Sequence, residues 1–355
     1  VARLKVYDCA EYGAKFDEIY DQLSHNAVYT GAFDTHFPVD REIDGSEPFD
    51  AYFLEQIQRW RSLLSHHLVL HNPKLNGEEI NFLVQRLINR IIFLRICEDR
   101  ALEHYRSLQQ VITYAQLKTL FERADQRYNS GLFDFIEDRL SLSITLPDAV
   151  LIEIFKELYY PESPYEFSVV EASVLGEIYE HFLAREIQIT PEVRIVEKPE
   201  VIAAGGVVST PKYIVDDIVE RTLSRLVEGK SPQDLSTFTV ADIACGSGTF
   251  LLQAYEYLMN HYLEWYLHDG VQKHSDKVWE GSHGQWHLTL HEKQRILTTH
   301  IHGVDIDHQA VEVCRFSLLL KVIERETPAS VDAHLRRYKQ RALPNLRANI
   351  VWGNS

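Results

Sequence analysis

The chain is 355 residues long, 45% hydrophobic and 25% charged, an ordinary soluble composition with enough length for two domains. Its net charge of −16 argues against a surface that is basic throughout, as phosphate binding would favour. No run approaches the roughly 18 unbroken apolar residues of a membrane span, no basic and apolar leader opens the chain, and Cys9, Cys97, Cys245 and Cys314 form no CxxC pair, as expected of reduced thiols in a cytoplasmic protein.

From Val1 to Pro48 the pattern is mixed, with a helix predicted around Phe16 to Leu23 and a polar loop from Asp34 to Pro48. Phe49 to His71 reads as one amphipathic helix. Asn76-Gly77-Glu78-Glu79 opens the next, with acids in the first turn where they suit the helix dipole. Apolar positions from Phe82 to Cys97 leave little polar face, so this helix is expected to be buried by its neighbours. More helix is predicted over 114–125 and 148–159. Pro161 to Ser168 reads as a connector and Pro191 to Gly206 as an exposed loop. Pro211 suits the first turn of a helix running to Val227, with Thr210 as its cap.

Residues 239–250, Thr-Val-Ala-Asp-Ile-Ala-Cys-Gly-Ser-Gly-Thr-Phe, then give a strand ending at Asp242, a glycine turn, and the start of a long helix to Leu267. Gly246 and Gly248 let backbone approach a ligand closely, and the helix N-terminus favours its polar end. A polar stretch from His268 to His287 reads as an insertion. His283, His287 and His291 are spaced by four, but no acid or cysteine completes a zinc set, and no metal is expected. The run Thr299 to Asp305 is a second strand ending in acid, followed by an amphipathic helix from His308 to Arg325. Asp305 lies 63 residues past Asp242 (305 minus 242), far beyond the roughly 20 of a compact dinucleotide unit. Leu251 also stands where the dinucleotide fingerprint needs its third glycine. An acid at the first strand tip suits a cationic amino group and an acid at the second suits ribose hydroxyls. S-adenosyl-L-methionine carries both.

Four segments carry a resemblance. Asp242-Ile-Ala-Cys-Gly-Ser-Gly-Thr-Phe-Leu251 resembles the first motif of amino-group DNA methyltransferases, and Gly303-Val-Asp-Ile-Asp307 their second. Gly205-Gly-Val-Val-Ser-Thr-Pro-Lys-Tyr-Ile214 resembles the tenth, and Asn349-Ile-Val-Trp-Gly-Asn-Ser355 the strand and turn of the third. The tenth motif directly before the first is the gamma arrangement, whose members mostly methylate adenine at N6. Upstream, Asn81 to Arg100 and Glu171 to Ile187 resemble helical segments that precede the methyltransferase in type IIG restriction-modification enzymes. The similar stretches together span most of the chain from Phe49 to Ser355.

The resemblance implies an α/β fold: a mostly helical domain over 1–165, a connector over 166–205, and over 206–355 the first part of a Rossmann-like S-adenosylmethionine-dependent methyltransferase domain. By the same resemblance Ala244, Gly246 and Gly248 line the methionine portion with Thr249 and Phe250 beside them. Asp242 takes its amino group and Thr210 its carboxylate. Asp305 holds the ribose, Ile306 packs on the adenine, and Asn354 with Ser355 contacts its amino edge. Ser209 departs from the aromatic residue often found before the Thr-Pro. Glu228-Gly-Lys230 has no strand context and is rejected as a nuclease centre.

The family aims its target base with an Asn-Pro-Pro-Tyr type tetrapeptide, and these 355 residues contain none. The chain also begins without Met. The expectation is therefore a piece of a longer protein that binds cofactor here and engages double-stranded DNA through the parent, with the tetrapeptide a few tens of residues downstream. The acidity is uneven in a way that permits this: residues 1–200 carry 20 Lys and Arg against 34 Asp and Glu, and residues 201–355 carry 16 against 18. Two other classes stay open, a methyltransferase acting on RNA, protein or a small molecule, and a non-catalytic helical module with a vestigial cofactor fold.

Overall fold

A computed structural model describes residues 11–23, 49–128, 131–136, 138–159, 162–163, 167, 170, 172–189, 193–204, 210–281 and 284–354. Helix α1 (Phe16–Leu23) forms where predicted; the loop read over Asp34 to Pro48 lies outside the described residues. Helix α2 (Phe49–His71) and helix α3 (Gly77–Asp99) pack on each other. Asn76 starts α3 with a capping box: its side chain accepts from the Glu79 amide at 3.0 Å, and the Glu79 carboxylate accepts from the Asn76 amide at 2.9 Å.

Helix α3 is buried on almost every side, so its polar residues must find partners within the protein. Glu98 accepts from the Arg106 and Leu108 amides, from Ser107 Oγ and from the Tyr159 hydroxyl. Arg90 donates to Asp138 at 2.6 Å, to Ser141 Oγ at 3.0 Å and to the Leu132 carbonyl at 2.7 Å. Around this helix stand α4 (Tyr114–Tyr128), the short α5 (Leu140–Ser143) and α6 (Asp148–Lys156).

Helix α7 (Ala172–Leu183) packs against α2. The resembling segment up to Ile187 is not helical throughout: strand β1 (Arg185–Ile189) follows α7 at once and pairs antiparallel with β2 (Val193–Glu197). Residues read as an exposed loop thus hold β2 and the short helix α8 (Pro199–Ala204). Tertiary anchors explain the difference. Asn81 on α3 donates to the Ile187 carbonyl and accepts from its amide, both at 3.0 Å. Buried Arg61 on α2 donates to the carbonyls of Phe182 at 2.8 Å and Arg185 at 2.6 Å.

The second half is built on a parallel sheet of order β3-β6-β7, comprising β3 (Val240–Asp242), β6 (Ile301–Asp305) and β7 (Ile350–Trp352). Asp242 sits beside Gly303, and Asp305 beside Trp352, so both acids stand at the carboxyl ends of their strands. The chain leaves β3 into α10 (Thr249–Asp269), turns through the antiparallel hairpin β4 (Val278–Glu280) and β5 (Trp286–Leu288), and returns by α11 (Leu290–His300) into β6. His300 therefore ends a helix, although the whole run from Thr299 reads as strand. Its buried ring bridges the Phe238 carbonyl at 2.6 Å and the Tyr262 hydroxyl at 2.8 Å, and burial pulls its pKa down, favouring the neutral form. Helix α12 (His308–Val322) and α13 (Pro328–Tyr338) connect β6 to β7. Helix α9 (Lys212–Val227) packs along α10, and α7 contacts both α10 and α12, which joins the helical half to the sheet half. No described helix is long and apolar enough to cross a membrane.

Candidate functional site

At the carboxyl edge of the parallel sheet lies a cavity of about 430 Å³. Its walls include Thr210, Asp242, Ala244, Gly246, Thr249 and Phe250. They also include Asp305 and Ile306, so the two acid strand tips and the glycine turn face one space, as expected of a ligand site in an open α/β sheet. Gly248 acts one step removed, beneath the turn rather than in the wall.

The turn is held from several sides. The Asp242 carboxylate accepts from the Ala244 amide at 3.0 Å, closing a local ring at the strand tip. Cys245 donates its amide to the Val304 carbonyl at 3.0 Å, fastening the turn to β6. Asp305 braces two backbones at once, with Oδ2 accepting from the Gly246 amide and Oδ1 from the Asp307 amide, each at 2.8 Å. Each carboxylate oxygen has a second lone pair, so both remain able to accept from a ligand hydroxyl.

Gly246 has φ +53° and open space on the side where a Cβ would stand, whereas Gly248 has φ +91° and no room for one. The first leaves the cradle accessible, and the second lets α10 begin close to α12. Asp307 caps α12, accepting from the Gln309 amide at 2.8 Å. Ile306, 74% exposed, offers an apolar surface at the mouth of the cavity.

Some of the sequence assignments need adjustment or fall outside the described residues. Thr210 lines the cavity but does not cap α9: Pro211 occupies the cap position, α9 starts at Lys212, and no side chain bonds the helix end. Asn354 is exposed just after β7 and is not in the cavity wall. Ser355, and the Gly205 to Ser209 part of the Thr-Pro segment, lie outside the described residues.

Two charged residues of the cavity wall carry no assignment from the sequence. Glu180 on α7 meets the turn with its carboxylate, Oε1 accepting from Ser247 Oγ at 2.6 Å and from Thr249 Oγ1 at 3.3 Å. Lys198, just after β2, pairs with the Asp307 carboxylate. A larger cavity of about 780 Å³ shares Lys198, Ile306 and Asp307 with this one and extends toward Phe82, His308 and Trp352. The glycine turn and both strand-tip acids, Asp242 and Asp305, line the smaller space and not the larger one.

A parallel sheet whose carboxyl edge carries a glycine turn between two acids has the arrangement in which open α/β sheets bind ligands. The chain belongs to the N-6 DNA Methylase family, whose model matches residues 170–351, a span that includes α7, the turn, β3 and β6 and ends within β7. It is 36% identical over 361 residues to the Escherichia coli type II restriction enzyme and methyltransferase RM.Eco57I, covering 100% of this chain and 35% of that protein. A relative from Methanocaldococcus jannaschii is 24% identical over 337 residues, covering 76% of this chain and 27% of its own. The chain thus spans about a third of the length of these curated relatives. The solved DNA complex of the Type IIL restriction-modification enzyme MmeI aligns with 85% of this chain and 40% of its own at 14% identity and a TM-score of 0.47.

Proposed function

We propose that this chain is the cofactor-binding part of a DNA methyltransferase of a restriction-modification system, acting on adenine N6 in double-stranded DNA with S-adenosyl-L-methionine as methyl donor. The observation that carries the reading is Asp305: a strand-tip carboxylate fixed by two backbone amides, at the wall of the same cavity as the glycine turn. Family membership supports the same chemistry. The donor set fits the cofactor. Asp305 would accept the ribose hydroxyls and Ile306 would cover one face of the adenine. Asp242, with one oxygen committed to Ala244, would take the amino group, Thr210 the carboxylate, and the 244–247 backbone the methionine chain.

Bound there, the cofactor supplies a sulfonium-activated methyl group. The residues of this chain hold it in one orientation and shield it, and positioning of this kind is a large part of a two-substrate enzyme's rate enhancement. Aiming the target amino group belongs to an Asn-Pro-Pro-Tyr type element. The 355 residues hold none, and the chain spans about a third of the length of its curated relatives, so the role we propose for these residues is cofactor binding.

Calorimetric titration with S-adenosylmethionine tests the reading. Asp305→Ala is expected to lose about 1.5 to 3 kcal/mol of binding, the range for a charged hydrogen-bond partner, with the helical circular-dichroism signal unchanged. Undiminished affinity would move the ribose contact elsewhere. A folded chain with no affinity at all would make it a vestigial module.

A further inference from the structure

Glu180 is carried by the helical segment before the sheet, 67 residues from the nearest residue it bonds in the glycine turn. Its two oxygens are treated differently. Oε1 accepts from both Ser247 and Thr249, whose hydroxyls lie 3.2 Å apart, and Ser247 itself is only 2% exposed. Oε2 is shielded from water and has no hydrogen-bond partner among the described residues. A carboxylate oxygen left in that state is costly, and natural structures tend to supply its donor.

Where that donor comes from follows from the surroundings. Lys198, the cation in the same cavity wall, is engaged by Asp307. Glu180 lines the cavity beside Thr249 and Phe250, and the terminal torsion of a glutamate is soft enough to turn Oε2 toward that space. Asp305 grips the turn at Gly246, on the β6 side, while Glu180 grips it at Ser247 and Thr249, on the α7 side. Together with Asp242 these carboxylates give the crevice a negative character that favours a cationic ligand.

We infer that Glu180 is a ligand-binding residue whose free oxygen accepts a hydrogen bond from the cationic α-amino group of the cofactor's amino-acid tail, sharing that group with Asp242. The inference rests on the crevice being the S-adenosylmethionine site. It adds that the tail is clamped between the strand tip and a helix from outside the sheet, so that α7 and the glycine turn are held together through the ligand as well as through the two hydroxyls.

Titration of the wild-type chain and of Glu180→Gln with S-adenosylhomocysteine and with 5′-methylthioadenosine, which lacks the amino-acid tail, tests this. Glutamine keeps the shape and an acceptor for the hydroxyls but removes the charge. Affinity for S-adenosylhomocysteine should fall about 10- to 100-fold, as for loss of a charged hydrogen bond, while affinity for 5′-methylthioadenosine stays within about twofold. Equal losses for both ligands would show that Glu180 only holds the turn, and no loss for either would remove it from the site; each overturns the inference. Thermal melting of Glu180→Gln and Glu180→Ala separates a folding defect from a binding one. Failure of the wild-type chain to bind S-adenosylhomocysteine or S-adenosylmethionine would instead overturn the cofactor reading itself.

Discussion

Replacing Arg90 by methionine is expected to cost about 3 to 5 kcal/mol of folding stability, read as a shift in the urea midpoint, because it strands a buried carboxylate. The Arg90 side chain is fully buried and Asp138 nearly so, with 2.6 Å between them. Burial pulls the Arg90 guanidinium down to about 10, still charged at neutral pH. Burial pushes the Asp138 carboxyl up, but the Arg90 charge and the Ser141 hydrogen bonds outweigh it, so its pKa ends below the usual carboxylate value. The pair is therefore ionic, and removing one member leaves the other without its counter-charge. Arg90→Met combined with Asp138→Leu removes both ions and is expected to recover much of the loss, since apolar replacements of a buried pair are often tolerated. Recovery should be incomplete, because the Leu132 carbonyl also loses its donor. A single-mutant loss under about 1 kcal/mol, or a double mutant no better than the single, would contradict the ion-pair account.

The same pair gives a pH dependence with a definite sign. A folded pKa below the unfolded one means that the unfolded chain binds the extra proton first, so stability rises with pH across that interval. The contribution of Asp138 is complete above the unfolded aspartate value of about 4 and is lost as the pH falls through its lowered folded value. The wild-type chain should lose stability more steeply on acidification than the apolar double mutant, which lacks the titrating group. Parallel acid titrations followed by circular dichroism make the comparison.

How much of this was legible in the sequence depends on the range over which each feature is decided. The α3 start was, because Asn76 and Glu79 satisfy each other within one turn. So were the strand tip at Asp242 and the glycine turn that follows it, where the Asp242 carboxylate closes on the Ala244 amide two residues on. The β1–β2 hairpin was not. Neither strand alternates cleanly between buried and exposed positions, and β1 is anchored by Asn81 and Arg61 from distant helices. Glu180 was also invisible, since a glutamate among Ile178, Tyr179 and Phe182 on a helix reads like any solvated position until α7 is seen packed beside the turn. Local chemistry therefore located the crevice. Tertiary packing supplied its second wall.

Gly248→Ala is expected to cost about 2 to 5 kcal/mol, combining backbone strain with overpacking. At φ +91° any L side chain is disfavoured, and the added Cβ would stand 2.5 Å from Cys314 Sγ and 3.2 Å from Cys314 Cβ. Neither neighbour yields easily, because Cys314 is fully buried on α12, and its thiol is kept protonated by the Cys245 contact and by burial, so it acts as a neutral packing group. The close approach is also what lets α10 begin directly at the turn, with the Gly248 amide donating to the Cys245 carbonyl at 2.8 Å. Gly246→Ala forms the opposing case: nothing lies within 4 Å of its Cβ position, so its stability cost is limited to about 1 to 2 kcal/mol of left-handed strain. With the cofactor bound as proposed, however, a methyl group there would intrude on the space that backbone leaves open to it. Urea denaturation should therefore rank Gly248→Ala as the more destabilised variant, while titration with S-adenosylmethionine ranks Gly246→Ala as weaker in binding than its fold stability accounts for. Adding Cys314→Ala to Gly248→Ala should return part of the lost stability by removing the 2.5 Å contact, leaving the φ strain in place. If Gly248→Ala instead unfolds within about 0.5 kcal/mol of wild type, the range of ordinary surface changes, then α10 and α12 do not meet at this glycine as described.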